Sequence, residues 1–328
     1  MNPIYLNLPF FAEPVSLYGV LAVLFILVAM VISFLSSMAS GLKKNRHMAV
    51  YTLLALVLGL FFGRLIYCAV MYNLMFFDAM GYFSGYGAFF NPFLGSLNMG
   101  GILIGVLLAA PLSALLTKEK AASFADAAAL PGLLLYAGMR WIEPLSGQGY
   151  GDPVENPLFA FSPLCLVNDY GEWTLSVCFI EAVAALVLVI VLLFLRKKAI
   201  RPGSLFLYAI ALFSPTQMFA ELFRQDDVLY ILVFASVSLL CLVTVLVLSQ
   251  FALLLRARKD GMKTSRAIGE GLLMLLGVIV CVGGVFALDK TNIPDLYIYI
   301  VMALALIGMA ILFCQRIAKE DKRKPIKA

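Results

Sequence analysis

Six ionisable residues sit where an apolar chain should not carry them. Arg64, Arg140, Glu143, Glu181, Glu221 and Arg224 lie within, or at the ends of, long apolar runs. Such groups are expensive in a membrane and mark function by default. Arginine suits a phosphate, because its planar fork bonds two oxygens at once. A neighbouring carboxylate accepts a proton or orients a reactant. Glu221 and Arg224 are spaced i and i+3, so on a continuous helix they would share one face. Two readings of the set compete: ion pairs that lock helices together, or a polar cavity that binds an anionic headgroup.

Glycines lie close to these residues in the chain. Met99-Gly100-Gly101-Ile102-Leu103-Ile104-Gly105 opens an apolar run. Paired glycines there allow close helix packing, or they present backbone N–H groups to an anion. Ser146-Gly147-Gln148-Gly149-Tyr150-Gly151 follows Arg140 and reads as a tight turn with unusual backbone angles. The six cysteines contain no Cys-x-x-Cys pair, and His47 is the single histidine, in a basic loop. A structural zinc site needs a Cys and His cluster that this chain lacks, and no cofactor is expected.

The elements that must position these residues follow from composition. The chain has 328 residues, 63% of them hydrophobic and 13% charged, with mean hydropathy +0.99. Soluble domains carry roughly 25% charged residues, so a soluble enzyme is excluded. The apolar runs are continuous, which disfavours a barrel of alternating strands. They are about 20 residues long, the length of a membrane-crossing helix. The expected fold is therefore all-α: a polytopic membrane helical bundle of nine spans. These are read at Val15–Ser37, His47–Met71, Leu97–Thr117, Phe124–Trp141, Trp173–Leu195, Ser204–Phe223, Val228–Leu255, Gly269–Leu288 and Tyr297–Cys314.

Basic residues assign the sides. Twenty of the 24 Lys and Arg fall on one side when the spans alternate. They are Lys43, Lys44 and Arg46; Lys118 and Lys120; Arg196, Lys197, Lys198 and Arg201; Arg256, Arg258, Lys259, Lys263 and Arg266; and Arg316, Lys319, Lys322, Arg323, Lys324 and Lys327. That side is expected to be cytoplasmic, with the N-terminus outside and the C-terminus inside. The net charge of +5 is then anchoring to anionic lipid, and calls for no nucleic acid. The six ionisable residues fall in the outer half. Two outer segments are long. Tyr72–Ser96 is rich in Phe, Tyr and Gly with one charge, Asp78, and suits the membrane interface or an ordinary packed loop. Pro144–Glu172 is a polar loop bearing Asp152, Glu155 and Asp169.

At these landmarks the chain resembles the bacterial prolipoprotein diacylglyceryl transferase family. Val15-Ser16-Leu17-Tyr18-Gly19 is similar to that family's W-Y-G start, and Gly63-Arg64-Leu65-Ile66-Tyr67 to its G-A-R-x-G-Y. Met99-Gly100-Gly101 through Gly105 is similar to H-G-G-L-x-G, and Phe124-Ala125-Asp126 to L-A-D. Arg140-Trp141-Ile142-Glu143 through Gly151 is similar to R-x-G-N-F-x-N-x-E-x-x-G. Arg201-Pro202-Gly203 and Gln217 through Asp227 are similar to R-P-G and R-x-x-x-E-F-F-R-x-P-D. The likeness covers roughly residues 10–255. The departures are Met99 for the histidine, Gln217 for an arginine, Glu143 for an asparagine and Gln148 for a glutamate. The last two spans have no counterpart in the usual seven-span family. The resemblance thus divides the chain into a transferase-like membrane domain, 1–257, and two added spans with a basic tail, 258–328.

The resemblance implies transfer of the diacylglyceryl group of phosphatidylglycerol to the lipobox cysteine of a preprolipoprotein, in the bacterial cytoplasmic membrane with the site facing outward. By matching position, Arg140 would hold the phosphate, Glu221 would orient or accept a proton, and Tyr18 would hydrogen-bond near the cavity mouth. Glu143 is a further catalytic candidate. Arg64, Gly100, Gly101, Gln148, Gly151, Glu181, Gln217 and Arg224 would line the substrate. With Met99 in place of histidine, Glu143, Glu181 or Glu221 would serve as base. Two other outcomes fit the same residues: a family-fold protein without the chemistry that binds anionic phospholipid or a membrane partner, and an unrelated carrier.

Overall fold

A computed structural model describes residues 5–6, 15–37, 42, 44–77, 81–91, 97–156, 158–168, 170–225, 230–232 and 235–322. Asp78, Asp169, Lys43 and the basic residues beyond 322 lie outside them. The helices are α1 (Leu17–Ser37), α2 (Asn45–Val70), α3 (Tyr72–Phe76), α4 (Met99–Thr117), α5 (Ala121–Ile142), α6 (Val177–Arg196), α7 (Ser204–Ala220), α8 (Val237–Lys259), α9 (Thr264–Lys290) and α10 (Asp295–Lys322). Among the described residues, nine of these are long and apolar enough to cross a membrane; α3 is the short exception. The all-α multi-span expectation is met.

Several boundaries differ from expectation. Trp173–Ser176 is a strand, and α6 starts only at Val177. It is the central strand of a small antiparallel sheet flanked by Tyr150–Pro153 and Cys165–Val167. The polar segment 144–172 is thus partly ordered by backbone pairing, which hydropathy does not report. The helix of the seventh span begins at Val237 rather than Val228. Helix α7 ends at Ala220, and Glu221–Phe223 is a 3-10 turn. Arg224 then adopts an extended backbone and bridges Gly151. Glu221 and Arg224 therefore do not share a helical face, because the backbone leaves the helix between them.

Glycine decides how α2 and α4 meet. Gly59 and Gly63 on α2 face Ile102, and a Cβ on Gly101 or Gly105 would lie 2.3 Å from the Phe62 or Leu58 carbonyl oxygen. This is mutual small-xxx-small packing, where absent side chains let backbones touch. Pro131 inside α5 cannot donate to the Ala127 carbonyl. The Ser36 hydroxyl of α1 donates to that oxygen instead, at 2.6 Å, as a freed carbonyl in a membrane helix requires.

The basic loops gather at one end of the bundle. There the Arg201-Pro202-Gly203 turn is held from two sides. Asp126 of α5 accepts the amides of Gly203 at 2.5 Å and Phe206 at 2.9 Å, so a carboxylate meets the N-terminus of α7, where it is favoured. Asp321 of α10 accepts the Ser204 hydroxyl at 2.6 Å. Arg201 also pairs with Asp260, and Arg316 with Glu270 at 2.6 Å. One apolar core runs from Ala129 and Leu192 through Tyr208 and Leu246 to Met302 and Phe313. Helices α9 and α10 therefore share the core of the preceding spans.

Candidate functional site

The opposite end holds a buried polar network. Tyr136 and Arg140 lie one turn apart at the end of α5, and Glu143 starts the following 3-10 turn. Arg140 Nη1 donates to both Glu143 oxygens at 2.7 and 2.8 Å. Its Nε donates to the Tyr136 hydroxyl at 2.8 Å and lies 3.0 Å from Glu181 Oε2. Arg224 Nη2 reaches Glu143 Oε1 at 2.8 Å, and its Nη1 reaches Glu181 Oε2 at 3.2 Å. Gln217 Nε2 donates to Glu181, and the Tyr136 hydroxyl donates to Gln217. Glu143, Glu181 and Gln217 are all buried. Two guanidinium groups and two carboxylates thus compensate one another, which a buried cluster of this kind needs.

Five elements position the network: α5, the 3-10 turn after it, α6, α7 and the extended segment that carries Arg224. The turn after Glu143 needs its glycines. Gly147 and Gly149 have φ of +77° and +92°, a region that glycine enters at no steric cost. A Cβ on Gly151 would lie 2.6 Å from the Phe223 carbonyl oxygen. Gly151 therefore lets its strand press against the segment that carries Arg224, and Gln225 N donates to Tyr150 O at 3.0 Å. Cys178 lies beneath this turn, with Sγ 3.3 Å from Ser176 Oγ.

The sequence-derived residues divide on this geometry. Arg140, Glu143, Glu181, Gln217 and Arg224 are brought together. Tyr18 is at the start of α1, a helix that packs against the 3-10 turn beginning at Glu143. Glu221 is half-buried on its turn, and Gln148 is exposed between two glycines. Gly151 acts on backbone docking. Arg64 holds the segment after α3 instead: it donates to the carbonyls of Phe89 at 3.0 Å, Ala88 at 2.7 Å and Asn91 at 3.0 Å. Gly100 and Gly101 are not an open anion cradle. The Gly101 amide is capped by Asn98 Oδ1 at 3.1 Å. A Cβ on Gly100 would lie 2.6 Å from Cys241 Sγ, so close packing accounts for both. Met99 is 39% exposed at the helix start, turned outward from the core.

Sequence reasoning missed Tyr136 and Asp126 as key residues. Tyr136 had a signal, the i and i+4 spacing to Arg140 on one face. Asp126 had none beyond its place in a motif. Among the described residues no three His, Cys, Asp or Glu converge as metal ligands.

Chemically, the arrangement presents two guanidinium groups from separate elements, each already oriented by acceptors. An anion entering here would compete with Glu143 and Glu181 for the same donors. A carboxylate displaced in this way becomes available to take a proton. Comparison with curated proteins finds no match. The family model of prolipoprotein diacylglyceryl transferase matches residues 3–255. Since that match spans most of the 328 residues, the chain belongs to the prolipoprotein diacylglyceryl transferase family.

Proposed function

We propose that the protein is a lipoprotein-biogenesis transferase of the bacterial cytoplasmic membrane. It would bind phosphatidylglycerol, or another anionic phospholipid, at the end opposite the basic loops, which faces outward. The observation that carries this reading is the convergence of Arg140 and Arg224 on the same two carboxylates. Paired guanidinium groups hold a phosphate through parallel hydrogen bonds and stabilise charge that develops on it as the leaving group departs.

In this reading the lipobox cysteine sulfur of a preprolipoprotein attacks the carbon of the diacylglyceryl group that bears the phosphate. A carbon–sulfur bond forms, the carbon–oxygen bond breaks, and glycerol phosphate leaves with the electron pair. The thiol proton must be removed first, because the thiolate is the nucleophile. Glu143 or Glu181, released from an arginine by the incoming phosphate, takes it; Glu221 is the third candidate. The test is transfer of labelled diacylglyceryl from phosphatidylglycerol to a lipobox peptide by purified protein in detergent. Product that disappears in Arg140→Ala supports the assignment. No product at high enzyme concentration overturns it.

One observation favours a second reading. Met99 stands where the family has histidine. A family member without the chemistry, which only binds anionic lipid, fits that replacement. Native mass spectrometry would then show retained phosphatidylglycerol that Arg140→Ala loses, with no transfer product.

A further inference from the structure

A separate cleft of about 330 Å³ opens between α4, α5, α7 and α8. It lies at the basic end. Ala122, in its wall, and Arg140 are 18 positions apart on α5, which is about 27 Å of helix. The cleft is therefore distinct from the charged network. Its size is at the lower end of pockets that hold small ligands, about 300–1,000 Å³.

The sequence explains why the space is there. Small side chains such as Ala122, Ala125 and Ala252 line it beside Leu107 and Phe206, so four adjacent helices leave a hollow they do not fill. Gly203 sustains the gap. It adopts φ +89°, and a Cβ there would stand 3.2 Å from Ala122 Cβ and 3.3 Å from Arg256 Nη2. On the α8 side the lining includes Leu248, which is 61% exposed. The cleft is thus open to the apolar surface of the bundle, the surface that bilayer hydrocarbon covers.

The rim supplies the charge. Arg256 lines the cleft and donates Nη2 to the Pro202 carbonyl at 3.2 Å. That bond fixes the guanidinium at the mouth and uses one of its five N–H donors. The neighbouring Asp126 directs its two oxygens to the amides of Gly203 and Phe206. An apolar slot with a cation at headgroup level matches one molecule in both parts: hydrocarbon in the slot and phosphate on the arginine.

We propose that this cleft holds one acyl chain of an anionic glycerophospholipid from the leaflet at the basic end, with its phosphate on Arg256. Such a lipid completes the packing between α8 and the α4–α5 pair. It is held whether or not the charged network transfers anything.

The full chain in nanodiscs containing a phosphatidylglycerol with a diazirine-bearing tail, or the matching phosphatidylcholine, tests this by photocross-linking and peptide mapping. The expected result is labelling within residues 107–125, 203–207 and 248–253, at least several-fold stronger from phosphatidylglycerol. Arg256→Gln, which keeps a donor for Pro202, should reduce it to the phosphatidylcholine level. Ala252→Phe, which fills the slot from its exposed flank, should remove it from both lipids. Equal labelling by the two lipids, or labelling that neither substitution changes, would overturn the proposal.

Discussion

Arg224 donates to Glu143 at 2.8 Å although 81 residues separate them. The contact exists because Arg224 leaves the helix, extends against Gly151 and turns back over the end of α5. It joins the segment after α7 to the turn after α5, and the Arg224–Glu181 bond ties both to α6.

Removing Arg224 should therefore cost both stability and function. Arg224→Ala leaves two buried carboxylates short of a partner, at about 3–5 kcal/mol for breaking a buried pair. Arg224→Lys keeps the charge but loses the fork that spans Glu143 and Glu181. Thermal unfolding in detergent should rank wild type above Lys and Lys above Ala. Transfer, measured as above, should fall in both variants. An Arg224→Ala protein with wild-type melting would disprove the role given to this network.

Gln217 bridges Tyr136 and Glu181. Gln217→Leu is close in size and removes both bonds, leaving buried polar atoms unsatisfied at about 1–3 kcal/mol. A lower unfolding temperature is expected. No change in melting would show that the bridge adds nothing to the folded state.

The glycines of α4 offer a contrast. Gly101→Ala forces a methyl within 2.3 Å of the Phe62 carbonyl, so α2 and α4 must part, at about 1–3 kcal/mol for overpacking. Gly132→Ala meets nothing within 4 Å and should change stability by no more than about 1 kcal/mol. Equal melting of the two variants would contradict the packing described.

Arg64 should act on its loop. Arg64→Ala releases the carbonyls of Ala88, Phe89 and Asn91. Amide hydrogen exchange over residues 86–91 should quicken while the end of α5 keeps its protection. Faster exchange at both places would place Arg64 within the charged network instead.

Asp321 lies beyond the family match, yet it accepts from Ser204 within it. Asp321→Ala should lower stability by about 1–3 kcal/mol through the unsatisfied partners at the start of α7. An unaffected unfolding temperature would mean that α10 adds no polar anchorage there.

The spans were legible in the sequence because hydrophobic length is a local property: about 20 apolar residues in a row suffice to identify a helix that crosses a bilayer. The buried charges were legible for the same reason, since Arg140, Glu181 and Arg224 stand out against apolar neighbours wherever they point. What each one touches was not. Arg64 and Arg140 look alike in the chain, but one holds backbone carbonyls and the other faces two carboxylates. Gly100 and Gly101 fit an anion site or a helix contact equally well until the position of α2 is known. Short strands such as Trp173–Ser176 were hidden inside an apolar run, because their pairing partner lies elsewhere in the chain. The sequence alone thus determined the class, the number of spans and the list of costly residues. Only the tertiary structure decided which of them meet, because that depends on how each helix is rotated and where it ends, and packing between distant segments sets both.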